Sequence, residues 1–138
     1  MAFLKRIEKL PDYMKVEDLS REFNSILDFS EKNPVSFTDE IVDSLWELSD
    51  RQWHTYTLVD KTIRLRIDKF IRERLDTCSI EFLNDIISII LLLGLQESYD
   101  FMIKVLAEGN IDPKIASEME SIVKEYGDDI SDPFDSLR

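Results

Sequence analysis

Four carboxylates and a tryptophan form the most suggestive chemical group in this 138-residue chain. Asp39, Asp43, Glu47 and Asp50 recur at helical spacing, and Trp46 sits at the border of the arc they define. Like charges on one helix face repel, so the helix itself gains nothing from them. One reading is a solvated face that keeps the protein soluble. The sharper one is a docking surface for a basic partner, in which Trp46 serves as an aromatic anchor ringed by charge. Asp128, Asp129, Asp132 and Asp135 near the C-terminus are candidates for a second acidic patch, with a disordered tail as the plainer alternative.

Other chemistry finds little material. His54 is the only histidine, and Trp53-His54-Thr55-Tyr56 contains no nucleophile and carboxylate arranged as a triad. One cysteine, Cys78, and one histidine cannot supply the three or four ligands of a zinc site, and no Glu-x-x-His motif is present. Cys78 reads as a small core residue. Gly94, Gly109 and Gly127 stand alone at helix ends, so no Gly-rich phosphate loop exists. The reading is therefore a binding protein, not an enzyme, with no cofactor and no metal.

The net charge of −12 disfavours nucleic acid and anionic membrane as partners and favours a basic protein. The charge is uneven. Residues 1–50 carry 12 acids and 6 bases, residues 51–76 carry 4 and 7, and residues 77–138 carry 13 and 4. The basic set in the middle, close to Trp53 and Tyr56, reads as a solvated face or an internal partner for acidic helices; RNA binding is the weaker reading. A lone cysteine asks for no oxidising compartment, and the N-terminus lacks the long apolar region of a signal peptide, which makes the cytoplasm the expected location.

These residues must be held by helices, since 3 glycines and 4 prolines leave little room for a many-stranded sheet. Ile80–Leu95 is apolar on nearly every side, which predicts a wrapped, buried helix too short to cross a membrane. Thr77 and Ser79 are its candidate caps, Glu81 and Asp85 suit its first turns, and Gly94 its end. The chain before it reads as a short helix over 2–10 ended by Pro11, a helix from Asp12 or Tyr13 to Lys32 with Asn33 as a left-handed cap, a helix from Ser36 or Thr38 to Asp50, and the longest helix over 51–76.

In that longest helix Tyr56, Val59, Ile63, Ile67, Phe70 and Ile71 form the core stripe, and Asp60–Arg64 and Asp68–Arg72 are acid-before-base pairs. Thr55 and Thr57 allow a late start or a break near Thr57. After the apolar helix come 96–108, then a helix opened by Asp112-Pro113 and closed by Gly127, whose stripe Ile115, Ala116, Met119, Ile122, Val123 and Tyr126 is the cleanest in the chain. The expected fold is all-α, with six to seven antiparallel helices in a HEAT-like α-solenoid stack or a compact irregular bundle. Residues 1–127 form one domain, and 128–138 an extended acidic tail with Phe134 and Leu137 as anchors.

In its C-terminal half the chain resembles the immunity protein 30 family, small all-helical immunity proteins of bacterial polymorphic-toxin and contact-dependent inhibition systems. The likeness is carried by Phe82-Leu83-Asn84-Asp85-Ile86-Ile87, by Leu91-Leu92-Leu93-Gly94-Leu95, by the helix from Tyr99 to Leu106 and by Asp128-Asp129-Ile130-Ser131-Asp132-Pro133-Phe134. The resemblance implies an inhibitor that binds a cognate protein toxin. The acid content adds the expectation that this toxin is cationic and nuclease-like. A general helical adaptor without a toxin partner shares the same charge pattern.

Overall fold

The computed structural model describes residues 3–33, 37–74, 80–109 and 112–134. The described residues form seven helices: α1 (Phe3–Glu8), α2 (Val16–Lys32), α3 (Thr38–Trp53), α4 (Lys61–Arg74), α5 (Ile80–Leu93), α6 (Gln96–Glu108) and α7 (Pro113–Tyr126). None contains a stretch long and apolar enough to cross a membrane.

The first six helices pack in two layers by parity. Helix α3 lies between α1 and α5 in one layer, and α4 lies between α2 and α6 in the other. The most extensive helix contact is α3 against α5. The core between the layers includes Leu19, Phe23, Ile26, Leu27, Ile41, Leu45, Leu48, Ile67, Ile71, Ile86, Ile90 and Tyr99, all essentially inaccessible to solvent.

Helix α5 is buried as its composition requires. Leu83, Ile86, Ile87, Ile89, Ile90 and Leu93 are covered, while Leu91 and Leu92 are half-buried. It shares the centre with α3, which alone meets α1, α2 and α5. Its candidate caps Thr77 and Ser79 lie outside the described residues, as do Ser36, Cys78, Asp135 and Leu137. Helix α7 turns its stripe toward the core but covers it only in part. Only Met119 is buried, Ile115, Ala116, Ile122 and Val123 are half-covered, and Tyr126 is half-exposed. Periodicity reports which face is apolar, not how many neighbours it meets, and α7 packs chiefly on α6 alone.

The helix expected over 51–76 starts late, with the break near Thr57 that Thr55 and Thr57 allow. Helix α3 runs on to Trp53, a turn follows, and α4 starts at Lys61. Thr55 and Thr57 turn the chain by bonding their own backbone: Thr55 Oγ1 donates to Gln52 O at 2.6 Å, and Thr57 Oγ1 to Thr55 O at 3.2 Å. The buried Gln52 side chain closes the loop by donating to Thr57 O at 2.8 Å. Tyr56 therefore takes φ +54 and points outward, 65% exposed, rather than joining the core stripe. Asp60 caps α4 by accepting Thr62 N at 3.1 Å, so it forms no ion pair with Arg64. The other expected pair also fails, because Asp68 turns inward and Arg72 meets Glu97 at 3.6 Å. Helix α2 starts at Val16, later than expected, and Asn33 closes it at φ −132 rather than in the left-handed region.

The terminal acidic segment is not a free tail over 128–134. Ile130 and Phe134 are buried. Gln96 clasps the strand of chain on both sides, with Nε2 donating to Asp128 O and Oε1 accepting Ile130 N, each at 2.8 Å. Gly94 makes the approach possible. With φ +65, it stands where a Cβ would lie 2.8 Å from Ser131 O and 3.0 Å from Ile130 O. Phe134 then reaches the rings of Trp53 and Tyr56, at centroid distances of 6.2 and 5.8 Å.

Candidate functional site

The parity of the packing sets α1, α3 and α5 side by side, and an open groove of about 220 Å³ lies across them. Its walls are Leu4 and Glu8 from α1, Asp43, Trp46 and Glu47 from α3, and Asp85 from α5. Three of the residues singled out in the sequence therefore meet here, together with two further carboxylates. Glu8 and Asp85 were not legible as partners of Asp43, because each looks like an ordinary polar position on its own helix. The one signal was Asp85 itself, an acid inside the most apolar stretch of the chain.

The groove is electrostatically loaded. Burial pushes the Asp43 carboxyl above the usual carboxylate range, and repulsion from Asp85, Asp39, Glu8 and Glu47 pushes it further. Glu47 has a cation at hand: its Oε2 accepts from Arg51 Nη1 at 2.9 Å. Arg51 is itself buried, and its remaining donors go to the carbonyls of Leu10, Pro11 and Glu47 at 3.0–3.1 Å. It fixes the α1–α2 connection to α3 and so holds Glu8 near Asp43. Glu8 and Asp43 have no ion-pair partner among the described residues.

The other proposed acids lie apart from the groove. Asp39 is exposed at the start of α3 and acts on Asp43 only through its charge. Asp50 is half-buried further along the same face, where its carbonyl accepts from His54 Nδ1 at 2.7 Å. Asp128, Asp129 and Asp132 belong to the segment strapped over the α5–α6 turn. Asp129 accepts from the Ser131 hydroxyl at 2.7 Å and backbone N–H at 2.9 Å, which hold its carboxyl below the ordinary value. Asp132 accepts Phe134 N at 3.1 Å. These two acids build turns.

Two members of the basic set of α4, Arg66 and Arg72, meet acids of neighbouring helices. Arg66 grips α2 through Glu31 (2.9 and 2.8 Å), Asp28 (2.7 Å) and Asn24 (2.9 Å). Arg74 donates to Thr38 at 2.5 Å. The reading of this helix as an internal partner for acidic helices thus describes Arg66 well. Among the described residues no three of His, Cys, Asp and Glu are placed to hold a metal ion. Comparison with family models, with curated proteins and with solved structures found no match.

Proposed function

We propose that this protein is an immunity protein that binds and neutralises a cognate bacterial toxin domain, with the groove of Glu8, Asp43, Glu47 and Asp85 receiving a cationic part of that toxin. The observation that carries the reading is the meeting of Glu8, Asp43, Glu47 and Asp85 from three helices in one groove, where partial desolvation and mutual repulsion raise the Asp43 carboxyl. An arrangement that opposes its own charges gains most when a partner brings positive charge. Trp46 supplies an aromatic wall, the side chain type most often central to a binding hot spot. The likeness of the C-terminal half to immunity protein 30 supplies the toxin part of the proposal, and the net charge of −12 supports a cationic, nuclease-like partner. The protein acts by occupancy rather than turnover, in the cytoplasm where the toxin would arrive.

The test is co-expression with the product of the adjacent gene. The expected result is co-purification and relief of that product's toxicity, with association slowed by salt. Glu8→Lys with Asp43→Lys should abolish both, whereas Glu47→Lys is a poor probe because it also breaks the Arg51 network. Unchanged capture by the double reversal removes the groove from the interface. Capture without any toxicity to relieve supports the general adaptor instead.

A further inference from the structure

The face of α3 that carries the groove does not stop there. Asp43, Glu47, Asp50 and His54 succeed one another at i, i+4, i+7 and i+11, within one narrow arc of the helix. At its far end lies a shelf of rings. Tyr13 stands edge-on to His54 at 5.9 Å, His54 edge-on to Trp53 at 5.5 Å, and Tyr56 tilts against Trp53 at 6.1 Å. Tyr13 is 78% exposed and Tyr56 65%. Neither exposure serves the core, and Tyr56 is held there in a left-handed conformation that a bulky side chain rarely adopts.

We propose that the docking surface continues from the acidic groove along α3 onto this shelf, and that it takes an arginine-rich segment of a protein partner. The inference rests on the reading of the groove given above and adds both its extent and the chemistry of its occupant. Charge complementarity selects a cation: the arc between groove and shelf carries Asp43, Glu47 and Asp50, and Asp12 precedes Tyr13. Two cations border the shelf, Lys15 and Arg51; Arg51 is buried and its donors are spent on Glu47, Leu10 and Pro11. The rings select arginine over lysine. A guanidinium lies flat on an aromatic face while its in-plane N–H groups remain free for carboxylates, which an ammonium cannot do. From Asp43 to His54 is eleven residues, about 16 Å along the helix axis. An extended segment of about five residues spans that distance.

The two tryptophans allow each half to be followed separately, since Trp46 lines the groove and Trp53 belongs to the shelf. The full-length protein is titrated with nona-arginine and with nona-lysine peptides, observing the indole N–H resonances, assigned with Trp46→Phe and Trp53→Phe. Both indoles should shift along one isotherm with nona-arginine, which should bind about threefold tighter than nona-lysine. Tyr13→Ser combined with His54→Ser, both at exposed positions, should bring that ratio to about one while the helical circular-dichroism spectrum is retained. A silent Trp53 indole, or an unchanged ratio in the double variant, overturns the shelf while leaving the groove intact. If Trp46 is silent and Asp43→Lys weakens neither peptide, the groove reading falls and the continuous surface falls with it.

Discussion

The carboxylate of Asp68, on α4, accepts both the backbone N–H of Ser98, at 3.0 Å, and its hydroxyl, in the first turn of α6. Helix α6 has no side-chain cap of its own, since Leu95 occupies the N-cap position. Asp68 thus caps a neighbouring helix across the layer. Asp68→Ala is expected to cost about 1–2 kcal/mol, near 3–8 °C in Tm. Burial raises the Asp68 carboxyl above its ordinary value, outweighing the bonds from Ser98. A carboxyl raised on folding contributes more stability as pH falls from neutral through its folded pKa, and that contribution is lost as pH rises through it. The deficit of Asp68→Ala relative to the parent should therefore widen between pH 7 and mildly acidic pH. Thermal melts of the pair across that range check this.

At Asp43 the native charge works against the fold. Asp43→Asn should raise Tm by about 1–3 °C at pH 7 and low salt, the range expected of a surface change. The gain should shrink as salt screens Asp39, Glu8 and Asp85, and again on acidification, because a carboxyl raised on folding already takes up its proton there. The same variant should bind the cationic partner less well. A loss of stability in Asp43→Asn at neutral pH contradicts the electrostatic account of the groove.

Gly94 and Gly109 separate backbone strain from close approach. Both have positive φ, but a Cβ at Gly109 meets open space. Gly109→Ala should cost about 1 kcal/mol from the left-handed conformation alone. Gly94→Ala adds the collision with Ser131 and Ile130 and should cost more by about 1–2 kcal/mol. In a chain shortened after Gly127 the excess at Gly94 should vanish. Denaturant melts of the parent, Gly94→Ala, the shortened chain and the shortened chain with Gly94→Ala, read as a double-mutant cycle, measure how firmly the strap is seated.

Arg66 binds three side chains of α2 through a planar fork, a geometry an ammonium cannot copy. Arg66→Lys should therefore lose most of what Arg66→Met loses, about 0.5–1.5 kcal/mol in total. The hydrogen bonds from Arg66 hold the Glu31 carboxyl below its usual value. A depressed carboxyl stabilises the fold above its unfolded pKa and ceases to do so as pH falls through its folded one. The difference between parent and Arg66→Met should accordingly narrow below about pH 4, the ordinary carboxylate range, in contrast to the behaviour at Asp68.

Much of this architecture can be read from particular residues. Asp112-Pro113 opens α7, with Asp112 Oδ1 accepting Lys114 N at 2.8 Å. Gly109 and Gly127 close helices with positive φ, and the apolar run of α5 is buried. What local pattern cannot supply is the choice among partners. Asp60 and Asp68 have the spacing for ion pairs with Arg64 and Arg72, yet one caps its own helix and the other caps a helix 30 residues away. The break near Thr57 was legible in Thr55 and Thr57, but the contact that closes it, Gln52 reaching Thr57, is one no periodicity contains. The groove was half legible: Asp43, Trp46 and Glu47 share a face, but Glu8 and Asp85 enter it only because α1 and α5 flank α3.

That flanking has a dynamic consequence. A helix bordered on three sides can expose its amides only when the whole protein opens, whereas one bordered chiefly on a single side can peel away by itself. Amide protons in the middle of α3 should exchange with deuterium at the rate set by global unfolding. Those of α7, resting mainly on α6 with Tyr126 half in solvent, should exchange orders of magnitude faster. The α3 wall of the acidic groove, with Asp43, Trp46 and Glu47, is thus carried on the part of the molecule that fluctuates least.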